Sequence, residues 1–369
     1  MTDAIAAGRH DRLVRTWLYL VAAMIFGMVM LGGATRLTES GLSIVEWRPV
    51  TGALPPLSQN DWQAEFDKYK TTPQFKNINK DMTLDAFRTI YWWEWAHRNL
   101  GRLIGFVFFL PFIYFLARGW IAARMRGPLA VIFGLGAVQG AVGWWMVKSG
   151  LADRVSVSQY WLAFHMTLAC VIYTAVLWAG ERLRPPAVLA VSARLRRTTI
   201  ALVALVLLQI YLGALVAGLN AGLVYNTWPL IDGAFVPRAE HLFFISPAWR
   251  NFFENDLMAQ FVHRMVAYTL WIVAVLHALD VVRSLRDRAA VSGALSLAIV
   301  VTLQAMLGIA TLLQQAPLPM ALAHQAMAII VLTFAVLNAA RLTAKAVGQR
   351  RDAAAAPSTL SPASAKGRS

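Results

Sequence analysis

Three side chains suited to acid-base or metal chemistry stand together just before an apolar run, and they are Glu94, His97 and Arg98. Glu94 precedes His97 by three residues, so a helix would place both on one face. Ionisable residues at the mouth of a membrane helix are costly and usually belong to a functional site, although Arg also serves as a plain interfacial anchor. This segment is therefore the first candidate for chemistry.

The pattern returns once, in a changed form, before another apolar run. His263 and Arg264 repeat the imidazole and the guanidinium, but Gln260 stands at the position of the acid. An amide forms hydrogen bonds, whereas it does not exchange a proton as a carboxyl group does. We therefore expect chemistry in the first half of the chain and a permanently bound electron-transfer cofactor in the second.

The elements that must position these residues are membrane helices. Hydrophobic residues make up 58% of the chain and charged residues only 14%, where a soluble domain carries about 25% charged residues. Eight apolar stretches are long enough to cross a bilayer as helices. They lie near residues 14–34, 91–117, 128–147, 159–180, 198–218, 257–282, 289–315 and 319–341. Residues 57–90 are predicted to form an ordered outer loop with short helices, one of them capped by Asp81.

The formal net charge of +15 is explained by topology rather than by a nucleic-acid partner, which we do not expect. When the segments between spans are assigned alternately to two sides, most of the basic residues gather on one side together with both termini. The positive-inside rule makes that side the cytoplasm. The N-terminus shows no cleavable signal, so the predicted location is a bacterial inner membrane, with lipid around the spans.

The chain also reads as a duplicated four-helix unit. Motifs at the end of the first span recur at the end of the fifth, and polar residues of the later spans correspond as well. The residues of the first copy are Leu31-Gly32, Gly41-Leu42, Trp47, Gly52-Ala53, His97-Arg98, Gln139, Gly143 and His165. Those of the second are Leu212-Gly213, Gly222-Leu223, Trp228, Gly233-Ala234, His263-Arg264, Gln304, Gly308 and His324. Gln139 and Gln304 are expected to form hydrogen bonds between helices.

This pattern predicts an all-α integral membrane protein. Its eight transmembrane helices would form two tandem four-helix bundles in the same orientation, related by a pseudo-two-fold axis along the membrane normal. The single cysteine, Cys170, lies within the fourth span, so no intramolecular disulfide can form. It is expected to be a small, buried apolar side chain.

Four histidines lie at a common depth, because each even-numbered span runs from outside to inside and has its histidine in the first two turns. They are His97, His165, His263 and His324. Two helices that each present one imidazole at equal height can hold a planar heme between them, with both nitrogens on the iron. The duplication therefore predicts two heme sites, one in each half.

Of the other histidines, His10 and His241 are interpreted as surface residues and His277 as a structural residue. His10 lies in a tail and His241 in an outer loop, and His277 has no partner at its own depth, since the corresponding positions of the other even-numbered spans are Pro111, Ala179 and Asn338. Arg98 and Arg264 each follow a candidate heme ligand, where a propionate needs a cation. Snorkelling of either Arg to the lipid headgroups is an equally good explanation.

At this point the sequence resembles the heme A synthase family, in its mitochondrial and alphaproteobacterial branch. The resemblance runs from about residue 15 to 340. It is carried by Gly-Gly-x-Thr-Arg-Leu-Thr-Glu-Ser-Gly-Leu-Ser at 32–43, Glu94-x-x-His97-Arg98, Met146-Val147-Lys148-Ser149-Gly150-Leu151, Val157-Ser158-Gln159-Tyr160, Ala217-Gly218-Leu219, Ala221-Gly222-Leu223-Val224-Tyr225-Asn226 and His263-Arg264. Some family members have a cysteine pair in an outer loop, and this chain has none.

The resemblance implies that the substrate is heme O, whose C8 methyl group is oxidised to a formyl group by successive hydroxylations. It implies that His97 and His165 hold the substrate heme, with Glu94 as the catalytic acid or base. It further implies that His263 and His324 ligate a resident heme b, with Arg98 and Arg264 in support. Expected partners are heme O and heme A, a heme O synthase, cytochrome oxidase assembly factors and a second copy of the chain.

The predicted organisation then has four parts. They are a cytoplasmic N-terminal tail at 1–16, a catalytic half with the substrate heme at 17–180, a half with the resident heme at 198–341, and a disordered cytoplasmic tail at 342–369. Two other functions stay open. A di-heme b-type electron-transfer subunit would hold two identical hemes and turn over no substrate. A transporter is disfavoured because no pair of Pro- or Gly-broken helices lies at mid-membrane.

Overall fold

The computed structural model describes residues 2–152, 154–185 and 189–344, with side chains from residue 8 onward. In these ranges every long element is a helix, and eight helices are long and apolar enough to cross a membrane. They are α1 (Thr2–Leu37), α2 (Leu84–Ala117), α3 (Ala123–Leu151), α4 (Gln159–Glu181), α5 (Ala193–Gly218), α6 (Asp256–Ser284), α7 (Arg288–Leu313) and α8 (Leu318–Leu342). The predicted all-α, multi-pass membrane protein is therefore confirmed.

Several helices extend beyond the apolar spans predicted for them. α1 is already helical at Thr2, so the basic segment expected as a tail at 1–16 continues the first span without a break. α2 begins well before residue 91, because the hydroxyl of Thr83 accepts the backbone N–H of Ala86 and caps the helix. The cap predicted at Asp81 was therefore wrong. Most of the tail predicted at 342–369 lies outside the described residues.

Consecutive helices pack as hairpins, α1 on α2 and α3 on α4 in the first half, α5 on α6 and α7 on α8 in the second. The two halves meet through α1, α4, α5 and α8. Fully buried apolar side chains fill the space between these four helices, among them Leu18, Val176, Leu202 and Leu332. This packing is compatible with two tandem four-helix units.

The loop between α1 and α2 is ordered by aromatic packing. Short helices at Gln59–Lys70 and Pro73–Asn77 lie against the start of α2. Their aromatic side chains form a buried cluster with those of α2, and its members are Trp62, Phe66, Tyr69, Phe87 and Tyr91. The predicted short helices in an ordered loop are thus confirmed, and the loop fixes the N-terminal part of α2, where Glu94 and His97 lie.

Candidate functional site

Each of the four predicted histidines packs against a glycine of the helix that precedes its own. The pairs are Gly32 with His97, Gly143 with His165, Gly213 with His263, and Gly308 with His324. A Cβ atom added to these glycines would lie 3.0, 3.0, 3.1 and 2.7 Å from the nearest ring atom of the respective histidine. Any side chain in place of these glycines would therefore push the imidazole aside, so the glycines make the ring positions available.

The imidazoles form one pair in each half. His97 and His165 belong to the first half and His263 and His324 to the second, each on the helix that follows the one with its glycine. In the part of the chain that the structure describes, no three His, Cys, Asp or Glu side chains form a cluster that could hold a metal ion. The imidazoles thus come in twos, which is the number of axial ligands that a protein offers to a low-spin heme iron.

Three of the four histidines are also bound by a glutamine of the preceding helix. The Nε2 atoms of Gln139, Gln209 and Gln304 each donate to the backbone carbonyl of the facing histidine at 3.1 Å. The same amide nitrogens lie 3.0–3.5 Å from a ring nitrogen. The hydrogen bonds between helices predicted for Gln139 and Gln304 are confirmed. Gln209 was not singled out from the sequence, although it precedes Gly213 by the same four residues that separate Gln139 from Gly143 and Gln304 from Gly308.

Polar groups left unpaired around the imidazoles fit a bound cofactor. Among the described residues, Nδ1 of His165 and of His324 is buried without a hydrogen-bond partner, and so is Oε1 of each of the three glutamines. Buried polar atoms are rarely left unsatisfied in a finished site. Together with the glycine surfaces, these atoms fit an iron porphyrin between two imidazoles in each half, with a glutamine fixing the orientation of every ring except that of His97.

Glu94 is buried one turn outward from His97, and both of its carboxylate oxygens are engaged. Oε2 accepts the hydroxyl of Ser43 and the backbone N–H of Ile44, each at 2.8 Å. Oε1 accepts from the guanidinium of Arg98, with Nη2 at 2.6 Å and Nε at 3.1 Å. Glu94 therefore ties the exit of α1 to α2, in addition to any role in acid-base chemistry.

The second half repeats this connection with a neutral side chain. Gln260 donates to the carbonyl of Ala221 at 2.9 Å, and its Oε1 accepts from Arg264. Arg98 donates to the carbonyl of Ile44 at 2.8 Å, and Arg264 donates to that of Tyr225, the corresponding residue, at 3.3 Å. The two halves therefore share the bond from the arginine, but the acid at position 94 adds a charge and accepts from the loop where Gln260 donates to it.

Both guanidiniums, predicted to serve heme propionates, already have loop partners. Nη1 of Arg98 donates to the carbonyl of Glu46, and Nη1 of Arg264 donates to that of Leu230. Each Arg therefore fastens an outer loop over its imidazole. Contact with a propionate would be additional to these bonds.

His277 and His241 behave as interpreted, whereas His10 lies half-buried within α1 and not in a tail. His277 is buried, and its ring nitrogens lie 3.1 Å from Thr198 Oγ1 and 3.0 Å from Asn338 Nδ2. His10 stacks on Trp120. His241 lies in an outer loop at the protein surface. Cys170 is a free, buried thiol, as predicted.

The fold and the site define an eight-span membrane protein with two pairs of imidazoles suited to hemes. Comparison with known proteins places it more narrowly. The model of a family described as cytochrome oxidase assembly protein matches residues 15–336, and the chain belongs to that family.

Two similar proteins carry the same name. A protein of Rhodopseudomonas palustris (strain HaA2) named heme A synthase is 59% identical over 333 residues, which cover 90% of this chain and 91% of the relative. A heme A synthase of Bradyrhizobium diazoefficiens is 55% identical over 345 residues, covering 94% of this chain and 96% of the relative. The resemblance inferred from the motifs is thereby confirmed.

Proposed function

We propose that this chain converts heme O to heme A by oxidising the C8 methyl group to a formyl group in successive hydroxylations. The naming of relatives at this level of identity supports the overall reaction. One observation supports a catalytic first half and an electron-transferring second half. Each half has two imidazoles, but the arginine that follows the first of them pairs with Glu94 in one half and with Gln260 in the other. An electron-transfer subunit without turnover has no use for that difference.

In this proposal the first half binds the substrate. His97 and His165 hold heme O, each ring resting on a glycine of the neighbouring helix. The farnesyl-bearing porphyrin is strongly apolar, and α2 packs on α3 less extensively than α6 packs on α7. A lateral route from the lipid between α2 and α3 therefore serves substrate entry.

The second half would keep a resident heme b on His263 and His324. Such a group supplies one-electron redox chemistry when bound. Gln209 and Gln304 hold both ligands through their backbone carbonyls. They keep the ring positions fixed, and a fixed ligand geometry suits electron transfer because little has to rearrange.

Glu94 would act as the acid or base beside the substrate. Its carboxyl group exchanges a proton, while Arg98 on Oε1 and the loop donors on Oε2 keep the group in place. Gln260 at the corresponding position also accepts from its arginine, although its Nε2 donates to the loop where Oε2 of Glu94 accepts. Glu94→Gln can therefore keep the hydrogen bond from Arg98 while it removes the charge, the proton exchange and the bond from Ile44. The heme content of the variant shows whether the site still forms.

The test is extraction and chromatography of hemes from membranes of cells that make heme O, with each variant as the only copy. Glu94→Gln should retain bound heme and lower heme A by about 100-fold or more, the usual scale of acid-base catalysis. The matched control is Glu254→Gln, which alters an Arg-paired glutamate in the other outer loop and should leave heme A unchanged. Heme A at the wild-type level in Glu94→Gln would refute the assigned role.

We further propose a bacterial inner membrane as the location, with both termini in the cytoplasm. Basic residues at the α4–α5 connection and at the end of α6 support this orientation, since positive charge is retained on the cytoplasmic side. A heme O synthase and cytochrome oxidase assembly factors are the proposed partners. Self-association of the chain is part of the same proposal.

A further inference from the structure

The four histidine sites are built from one repeated helix hairpin. A residue on the first helix is followed four positions later by the glycine, and the facing histidine is followed four positions later by a small residue. Three hairpins share the types Gln, Gly, His and Ala: Gln139, Gly143, His165, Ala169; Gln209, Gly213, His263, Ala267; Gln304, Gly308, His324, Ala328. The first hairpin has Met28, Gly32, His97 and Gly101.

The first hairpin differs from the other three at positions 28 and 101, and the two differences compensate each other in side-chain volume. The terminal methyl of Met28 lies 3.1 Å from the place where a Cβ of Gly101 would be. An alanine at position 101, as in the other three hairpins, would therefore press on the Met28 side chain. Glycine at 101 makes room for methionine at 28. The Met28–Gly101 pair therefore replaces, as one coupled change, the Gln–Ala pair of the other three hairpins.

The His97 ring also sits differently on its glycine. In the other three hairpins the atom nearest to the glycine is Cε1, flanked by the two ring nitrogens. At Gly32 the nearest atoms are Nε2 at 3.0 Å and Cδ2 at 3.4 Å, so His97 presents its other edge. Among the described residues, no side chain forms a hydrogen bond with the imidazole of His97, and a methionine cannot donate one.

We propose that Met28 makes His97 the loosely held ligand of the four, so that the heme on His97 and His165 is exchangeable while the heme on His263 and His324 is retained. Outer groups that bind a ligating imidazole fix its orientation, and their loss weakens binding of the metal group about 10- to 100-fold. Met28 is thus a positioning residue that lets substrate enter and product leave. The inference deepens the proposed function, because it rests on the first half being the substrate site.

The test converts the first hairpin into the type of the other three. The full chain with Met28→Gln and Gly101→Ala is purified, loaded with ferric protoporphyrin IX, and mixed with excess apomyoglobin as a heme acceptor. The wild-type protein should release one heme rapidly and one slowly. The double variant should release the fast heme at least about tenfold more slowly than the wild type. Its low-spin EPR signal should also change, because that signal reports the new ligand orientation.

The reciprocal variant tests the same idea in the other half. Gln209→Met with Ala267→Gly should speed release of the slow heme about tenfold or more. Met30→Gln, on another face of α1, controls for the added amide and should leave both rates unchanged. If both double variants bind two hemes with wild-type release rates, the role of Met28 is refuted.

Failure of the proposed function would look different. A wild-type protein that binds no second heme, at any loading, would contradict the first half as a substrate site, whatever Met28 does. Two hemes in the wild type with unaltered release in the variants would overturn the inference on Met28 alone.

Discussion

At the scale of single residues, the site depends on four glycines without side chains as much as on the four histidines. Four imidazoles stand where a heme can be held because four glycines leave space beside them. The effect of filling that space differs from one glycine to the next, since Gly27 and Gly140 have nothing within 4 Å of an added Cβ and Gly293 has only an ordinary contact. A methyl group is therefore a sharp probe of each site.

Gly308→Ala should remove the resident heme. The new Cβ would lie 2.7 Å from Cε1 of His324, so the ring has to leave its position. Heme content of the purified protein, measured as the pyridine complex, should fall by about half. Gly293→Ala on the same helix is the control, because its Cβ would lie at an ordinary 3.6 Å from Asn338. Equal heme content in both variants would contradict the role of Gly308.

At the scale of elements, the helices are held at their ends by local charges and by close contacts. Asp287 precedes α7, and its Oδ1 atom accepts the N–H of Ala290 at 2.7 Å and Nη2 of Arg341 at 2.8 Å. The backbone N–H of Ala290 and the Arg341 guanidinium lower the pKa of Asp287 below its ordinary value. Because this pKa is lower in the folded than in the unfolded protein, the ionised carboxylate stabilises the fold at pH values above the unfolded pKa of about 3.9. That stabilisation is lost as the pH falls through the folded pKa.

Asp287→Asn should keep the helix cap and lose the charge pair, whereas Asp287→Ala should lose both. At pH 7 we expect a small drop in Tm for Asn, because the pair is partly exposed, and a drop larger by about 2 °C for Ala. The deficit of the Asn variant should shrink as pH is lowered below about 4. Thermal unfolding in detergent from pH 3.5 to 8 measures this, and a deficit independent of pH would contradict it.

The contact between α4 and α5 joins the two halves at the C-terminal end of α5 and the N-terminal end of α4. A Cβ on Gly218 would lie 2.8 Å from Cβ and 2.9 Å from Cα of Gln159, and backbone atoms cannot move aside. Gly218→Ala should therefore lower the free energy of unfolding by about 1–3 kcal/mol. Gly105→Ala in α2, with nothing within 4 Å of its added Cβ, should be neutral or stabilising. Equal Tm values for the two variants would show that the helices separate readily.

At the scale of the whole molecule, the eight helices of the described residues that are long enough to cross a membrane lead us to predict that both halves have the same orientation and that both termini lie on one side. Alkaline phosphatase fused after Gly233, in the loop between α5 and α6, should be active. The same enzyme fused after Pro185, between α4 and α5, should be inactive, while a fluorescent protein at the C-terminus should fluoresce. The opposite pattern of activities would reverse the proposed topology.

Much of this architecture is visible in the sequence, for a physical reason. Each membrane helix must satisfy its backbone internally and present about twenty apolar residues to lipid, so the spans can be located one at a time. Polar residues inside such spans are rare and conspicuous. His97, His165, His263, His324 and Glu94 could therefore be identified as candidates without any knowledge of their neighbours.

The tertiary structure decided which groups surround these candidates. The contact of Gly308 with His324, the hydrogen bond of Gln209 to His263 and the ion pair of Glu94 with Arg98 within a loop of donors all depend on how closely two helices approach. Local composition does not set that approach, because it results from packing of the whole bundle. The presence of Met28 where the other three hairpins have Gln is explained in the same way, because the structure places the Met28 side chain against Gly101.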